Sequence, residues 1–159
     1  MAEYYKTRGI VLHTIPHGES GHIVYMYTEA WGRLSYYVNS GKRGVATVGG
    51  SKVMLHPLTM IELVGTKSNG SFHRIKEAKR AVVSTAIFTD VYKSTISLFL
   101  SELIYKVVKE DEANPMLFDF LYQSITLLDM LEEGKANFHL FFTLQLTRYL
   151  GFYPNANYE

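Results

Sequence analysis

The sequence predicts an α+β chain in two parts, a five-stranded β-barrel over residues 1–80 followed by an all-α helical bundle over residues 81–159. In the first part, runs rich in β-branched and aromatic residues alternate with clusters of glycine, serine and asparagine, which is typical of short strands joined by turns. From about residue 85 the apolar residues recur at helical spacing instead. The charge divides at the same place, because residues 1–80 carry 11 Lys and Arg against 5 Glu, and residues 81–159 carry 5 against 10 acidic residues.

Turn signals set the limits of the expected strands. Asn69-Gly70 is a strong turn signal, and the segment from Ser40 to Lys52 carries four glycines and is expected to be a long loop. A small closed barrel of five strands is typical of the oligonucleotide/oligosaccharide-binding (OB) fold, with an SH3-like barrel as the alternative. The expected strands are Tyr4 to His13, His22 to Thr28, Arg33 to Asn39, Met54 to Val64 and Phe72 to Ala78.

Three helices are expected in the second part. The first, Thr85 to Lys109, ends in an acidic run. The second, Pro115 to Glu132, has Asn114 as an N-cap and a proline in its first turn. The third runs from about Ala136 to Leu150, where a glycine follows. Three helices of this length pack most simply as a bundle.

The residue types argue against an enzyme and against a metal site. The chain has no cysteine, and the spacing of His13, His17 and His22 fits no common set of metal ligands. Ser20 lacks the strand-to-helix context of a nucleophile, and residues 48–52 lack the spacing of a phosphate-binding loop. We expect no catalytic residues, no metal and no cofactor. No run of residues approaches a membrane span or a signal peptide, so we expect a cytosolic protein without membrane contact.

The basic first part predicts an anionic partner, of which nucleic acid is the commonest. Phosphates are bound by flexible cations on a surface, and glycines beside such cations let a loop approach the phosphate backbone closely. The alternative is an ordinary solvated surface. The candidate phosphate contacts are Lys6, Arg8, Arg33, Lys42, Arg43 and Lys52.

Three tyrosines are candidates for stacking on bases. Tyr25 and Tyr27 share one face of the second strand, and Tyr37 lies on the same side of the third strand as Arg33. Strands two and three form the ligand platform of an OB barrel, where exposed rings stack on bases. The alternative is that these rings pack against the helical part, and the sequence leaves both possibilities open.

The second and third helices are apolar on nearly all sides, so they are either fully buried or covered by a partner. We therefore expect more protein here, either a further C-terminal segment or a bound partner. Phe141 and Phe142 are candidate partner contacts, together with Arg148, the only basic residue of the third expected helix.

A set of short motifs occurs in order along the whole chain. They are Lys6-Thr7-Arg8-Gly9-Ile10-Val11-Leu12, Gly18-Glu19-Ser20, Tyr27-Thr28-Glu29, Gly32-Arg33-Leu34-Ser35, Gly41-Lys42-Arg43, His56-Pro57-Leu58, Asn114-Pro115-Met116-Leu117-Phe118 and Leu150-Gly151-Phe152. This ordered set resembles the RecO family of bacterial DNA repair proteins, in its Bacteroidetes branch.

The resemblance implies an OB-fold domain and a helical domain that act as a recombination mediator. Such proteins bind single- and double-stranded DNA, anneal complementary strands, join RecR, and help to load RecA onto DNA covered by single-strand DNA-binding protein (SSB). The acidic, apolar C-terminal tail of SSB is the expected ligand of the helical part, with Arg148 as the partner of a carboxylate. The alternative is a protein-interaction module whose basic barrel binds an acidic peptide tail.

The chain also departs from the family pattern. Family members continue well beyond the Leu-Gly-Phe position, often through a cysteine zinc motif, so we expect that a C-terminal segment is missing here. The segment from Gly44 to Ser51 is also poorer in lysine than the resemblance leads us to expect.

Overall fold

A computed structural model describes residues 3–39, 45–48, 51–82 and 86–154, with only the backbone described for 45–48 and 51–54. The strands in these ranges are β1 (Tyr4–His17), β2 (Gly21–Thr28), β3 (Gly32–Asn39), β4 (Val45–Val48), β5 (Ser51–Met54), β6 (Met60–Thr66) and β7 (His73–Arg80). The helices are α1 (Ala86–Thr89), α2 (Val91–Val107), α3 (Pro115–Met130) and α4 (Phe138–Tyr149), with a 3₁₀ turn at Lys135–Asn137.

The barrel has the strand order of an OB fold. The described strands β1, β2, β3, β7 and β6 close on one another in that order. Neighbouring strands are antiparallel except β3 and β7, which pair in parallel at Tyr37 and Arg74. β1 pairs with β6 from Tyr4 to Ile10 and with β2 from Gly9 to His17, and a bulge between Val11 and His13 shifts the register of the pairing with β2. The predicted fold class, a five-stranded OB barrel followed by helices, is confirmed.

Two predicted boundaries in the barrel are wrong. The strand expected from Met54 to Val64 begins only at Met60, because β5 ends at Met54 and the chain then turns at Pro57 and Leu58, where Leu58 adopts a positive φ of 63°. The expected long loop contains the antiparallel hairpin β4–β5. Its backbone contacts β3 and β7.

One predicted helix is also divided. The expected first helix breaks at Asp90, whose backbone is extended and whose side chain accepts a hydrogen bond from the Lys93 N–H. Asp90 is therefore the N-cap of α2. Asn114 caps α3 in the same way by accepting from the Leu117 N–H at 3.1 Å, as the sequence predicted.

The described buried residues form two apolar clusters. One fills the barrel and includes Val24, Met26 and Tyr36. The other lies between the outer face of β1–β2, with Ile10, Leu12 and Tyr27, and the buried faces of α2, α3 and α4. Since neighbouring residues of a strand point to opposite faces, the strand that lines the barrel also provides the docking surface for the helices.

The segment between α2 and α3 lies on the turn between β2 and β3. The Arg33 N–H donates to the Glu110 carbonyl at 2.9 Å. Gly32 has φ of 70°, and a Cβ atom there would lie 2.4 Å from the Glu112 carbonyl oxygen. Only a glycine fits this position, so the sequence at Gly32 allows the two parts of the chain to approach closely.

Among the described residues, no helix is long and apolar enough to cross a membrane.

Candidate nucleic-acid interface

Arg8 is held by an ion pair and by aromatic rings. Its guanidinium donates to both carboxylate oxygens of Glu29 at 2.8 Å, and it lies 4.7 Å from the ring centre of Tyr122 and 5.2 Å from that of Phe118. Hydrogen bonding to Arg8 holds the pKa of Glu29 below its usual value. A bidentate pair of this kind fixes both side chains, so Arg8 links β1 to α3 in this conformation.

Arg33 also bonds within the chain. Its guanidinium donates to the carbonyl of Tyr105, and to that of Val108 at 3.0 Å, at the C-terminal end of α2. It lies over the Tyr105 ring at 4.2 Å and 5.3 Å from the Tyr25 ring. Cations are favourable at a helix C-terminus, where carbonyl groups lack partners within the helix. Arg33 therefore joins β3 to α2.

Tyr25 and Tyr27 face the helices. Tyr27 is 1% exposed and its ring stacks on Phe118 with 6.3 Å between ring centres. Burial raises the pKa of Tyr27 to about 12. Tyr25 is half-buried and meets the Tyr105 ring edge to face at 5.3 Å. For both rings the structure favours the packing alternative, because α2 and α3 cover the part of the β2–β3 platform where they lie.

Tyr37 has different neighbours. The Arg74 guanidinium lies over its ring at 4.5 Å, and the His17 ring meets its edge at 5.9 Å. His17 in turn contacts Phe72 at 5.6 Å. A Cβ atom at Gly21 would lie 2.3 Å from the Tyr37 hydroxyl, so the glycine lets the ring lie flat on β2. We call Tyr37, Arg74, His17 and Phe72 the Tyr37 cluster.

Beside this cluster runs a row of exposed cations, Arg74, Lys76, Lys79 and Arg80, which we call the β7 row. Lys76 lies 4.5 Å over the Tyr4 ring, and Lys79 pairs with Glu62 at 3.0 Å. Exposed Lys6 lies on β1, the strand on the far side of β6, and exposed Lys67 follows the end of β6. Among the described residues this is a basic surface that extends across β1, β6 and β7.

The β7 row was not predicted from the sequence. The available signal was the density of cations in residues 74–80, where basic residues occupy four of seven positions. Of the predicted cations, Lys42 and Arg43 lie outside the described residues, and so does the side chain of Lys52. The backbone of their hairpin borders β7.

The predicted partner contacts of the helical part differ in their exposure to solvent. Phe141 is 61% exposed, whereas Phe142 is 2% exposed and stacks on Phe120 at 5.2 Å, so Phe142 belongs to the core. The exposed Arg148 lies over the Tyr153 ring at 4.1 Å. Next to these residues, α2 and α4 form an open apolar groove lined by Phe99, Leu140, Leu144 and Phe152.

The described residues contain no group of three or more His, Asp or Glu side chains arranged to hold a metal ion. Of the histidines that invited a metal interpretation, His13 stacks on Tyr105 at 4.5 Å and His17 belongs to the Tyr37 cluster.

Comparison with known proteins agrees with this architecture. Residues 1–82 match the family model "Recombination protein O N terminal", and residues 89–159 match "Recombination protein O C terminal". A DNA repair protein RecO of Bacteroides fragilis is 44% identical over 153 residues, which are 96% of this chain and 62% of the relative. RecO of Azobacteroides pseudotrichonymphae is 38% identical over 152 residues, 95% of this chain and 62% of that protein.

RecO of Porphyromonas gingivalis is 35% identical over 155 residues, again 96% of this chain and 62% of the relative. The chain thus spans about 62% of the length of these relatives. The two family models together extend over both the barrel and the helices, in the order that the sequence motifs predicted. This chain therefore belongs to the RecO family of DNA repair proteins.

Proposed function

We propose that this chain is the DNA-binding and partner-binding portion of a recombination mediator. It binds single- and double-stranded DNA through the barrel and anneals complementary strands. With RecR, it helps to load RecA onto DNA covered by SSB. The observation that carries the proposal is the exposed β7 row beside the Tyr37 cluster; Arg80, at the end of this row, lies 5.9 Å from the ring centre of Phe88 in α1.

The charges of this surface support DNA binding. Exposed Lys and Arg side chains neutralise phosphates and release the counterions condensed on DNA, a gain that does not depend on base sequence. The helical part carries the acidic excess of the chain and repels phosphate. A strand bound to this protein is therefore confined to the barrel.

The aromatic cluster supports binding of single strands in particular. Phe72 and His17 offer ring surfaces beside Tyr37, whose own ring lies between β2 and the Arg74 guanidinium, and stacking on such rings tolerates any base. Contacts to the sugar-phosphate backbone leave most base edges available for pairing. A surface of this kind brings two strands together without breaking a bond, which is what annealing requires.

The exposed face of α4 beside the apolar groove supports binding of the SSB tail. Phe141, Leu144 and Arg148 are spaced at i, i+3 and i+7, so they share one face of the helix. That face combines exposed apolar side chains with one cation, which suits an apolar peptide that ends in carboxylates. The same face supports the alternative, in which the chain serves chiefly as a protein-interaction module.

Fluorescence anisotropy with labelled oligonucleotides of increasing length separates the two functions. A mediator binds more tightly as the oligonucleotide lengthens up to a site size of roughly 4–16 nucleotides, and it accelerates pairing of complementary labelled strands. The alternative predicts no dependence on oligonucleotide length, no acceleration, and saturable binding of an acidic peptide to the barrel at a few residues.

A further inference from the structure

The barrel also contains a cavity that shares no lining residue with the Tyr37 cluster. The cavity, of about 300 Å³, opens where the start of β1, the β2–β3 turn and the β6–β7 connection meet. This volume is at the lower end of the roughly 300–1,000 Å³ typical of small-molecule sites, so it suits one small ligand. Its lining includes Glu3, Tyr5, Trp31, Lys67, His73 and Asp111.

The inner wall of the cavity is a fixed chain of polar groups. The Tyr5 hydroxyl is hydrogen bonded to the Tyr36 hydroxyl at 3.0 Å and to Nδ1 of His73 at 2.6 Å. Burial raises the pKa of Tyr5, which keeps its hydroxyl protonated. The Tyr5 ring is also held edge to face by Trp31 at 5.9 Å and by His73 at 5.6 Å.

The outer wall depends on the helical part. Asp111 belongs to the segment between α2 and α3, which is fixed against the β2–β3 turn by the bond from the Arg33 N–H to the Glu110 carbonyl. This wall of the cavity therefore forms only when the two parts of the chain are docked. Trp31, on that turn, lines the cavity and is 51% exposed, so it is accessible to a ligand.

These groups define a ligand chemistry. An accessible indole stacks on flat heteroaromatic rings. The carboxylates of Glu3 and Asp111 accept hydrogen bonds from exocyclic amino groups, as acidic side chains do from cytosine N4. Lys67 pairs with a phosphate. Lys67 offsets part of the negative charge of the two carboxylates, and the carboxylates favour a ligand that donates hydrogen bonds.

We propose that this cavity binds one nucleotide, with its base stacked on Trp31, the amino group of the base directed to Glu3 or Asp111, and its phosphate paired with Lys67. Cytosine, adenine and guanine are preferred to thymine, which lacks an exocyclic amino group. The nucleotide is either free or part of a bound strand. In the second form the inference rests on the proposed DNA binding.

The position of the cavity suits a nucleotide within a strand. His73 lines the cavity, and the next residue, Arg74, lies over Tyr37 in the cluster. Consecutive residues of β7 thus belong to the two features. A strand bound at the Tyr37 cluster therefore lies one residue of β7 away from a residue that lines the cavity.

Trp31 is the single tryptophan of the chain, so its fluorescence reports on the cavity directly. We expect dCMP and dGMP to quench this fluorescence in a saturable manner and TMP to bind about fivefold or more weakly. Lys67→Ala weakens the quenching by dCMP. The matched control is Lys106→Ala, because Lys106 lies on α2 and pairs there with Glu102. It leaves the quenching unchanged.

Labelled oligo-dC and oligo-dT, followed by anisotropy, distinguish the source of the nucleotide. If oligo-dC binds, quenches Trp31 and loses about fivefold or more in affinity in Trp31→Ala, the ligand is a nucleotide of the strand. If the oligonucleotides bind but neither they nor the mononucleotides quench, and Trp31→Ala binds as the wild type does, the inference is overturned while the proposed DNA binding stands. If mononucleotides quench and no oligonucleotide binds, the cavity takes free nucleotides and the proposed DNA binding fails. If neither mononucleotides nor oligonucleotides bind, both the inference and the proposed DNA binding are overturned. If TMP and dCMP bind with equal affinity, the preference for bases that carry an amino group is overturned.

Discussion

Replacing Arg33 by alanine separates a structural role from a DNA contact. The substitution removes hydrogen bonds from a charged group to the carbonyls of Tyr105 and Val108, and contacts with two tyrosine rings. A charged hydrogen bond contributes about 1.5–3 kcal/mol, and a cation–π contact about 0.5–1 kcal/mol at exposed sites. Since all these contacts share one half-buried guanidinium, they are not additive, and we expect a total loss of about 2–4 kcal/mol.

Thermal unfolding and DNA anisotropy of the same variant test this expectation. At roughly 2–4 °C per kcal/mol for a chain of this size, the melting temperature falls by about 4–16 °C. DNA affinity, measured well below that temperature, stays close to that of the wild type. The control is Lys6→Ala, which removes an exposed cation of the barrel and leaves the melting temperature nearly unchanged. A normal melting temperature with weakened DNA binding in Arg33→Ala would refute the reasoning and restore Arg33 as a phosphate contact.

Three further predictions concern other contacts. Gly32→Ala lowers the free energy of unfolding in urea by about 1–3 kcal/mol more than Gly18→Ala, because both have positive φ but only the first would collide with the α2–α3 segment; equal losses would contradict this. In the wild type the pair of Arg8 and Glu29 stabilises the fold above about pH 4.5, and this stability is lost as the pH falls through the depressed pKa of Glu29. Glu29→Gln lacks this contribution, so its free energy of unfolding in urea falls less steeply as the pH is lowered. Arg148→Ala weakens binding of a labelled SSB-tail peptide to the chain by about three- to tenfold at low salt, and equal affinity would remove this residue from the proposed peptide site.

The outline of the fold could be predicted because its signals are local. Turn residues bound each strand, and alternation along β2 assigned Val24 and Met26 to one face and Tyr25 and Tyr27 to the other. The division at Asp90 was missed because a capping side chain inside an apolar run resembles an ordinary helical residue. The hairpin β4–β5 was not predicted because four glycines in this segment indicate a loop more strongly than two runs of four residues indicate strands.

The candidate site was harder to predict, because period-2 alternation gives the faces of a strand but not what covers them. Tyr25 and Tyr27 lie on the face expected for an OB platform, yet Tyr105 and Phe118 occupy it. Alternation along β3 also assigns Tyr37 to this face, but its neighbours are Arg74 and His17 and not the rings of the helices. Which tyrosine meets a ligand depends on the docking of distant helices, a long-range contact that no local pattern contains.

The surroundings of the cations also depend on contacts that are distant in sequence. Arg8 and Arg33 were expected to contact phosphates because they lie near strand ends, but each finds partners that are distant in sequence. The β7 row remains exposed because β7 lies between β3 and β6, on the side of the barrel away from Tyr27 and α3. Its residues did not stand out in the sequence, since Glu77 and Ala78 interrupt the run.

The salt dependence of binding to single-stranded DNA tests the central claim most directly, namely that the β7 row binds phosphates. Each phosphate contact contributes about 0.7 to the slope of log affinity against log salt for single strands. The double variant Arg74→Ala and Lys76→Ala should therefore bind more weakly, with a slope about 1.4 shallower than that of the wild type. The control, Lys106→Ala with Lys109→Ala on the helical part, should keep the slope of the wild type. An unchanged slope and affinity in the β7 variant, or an equal change in the control, would contradict the account.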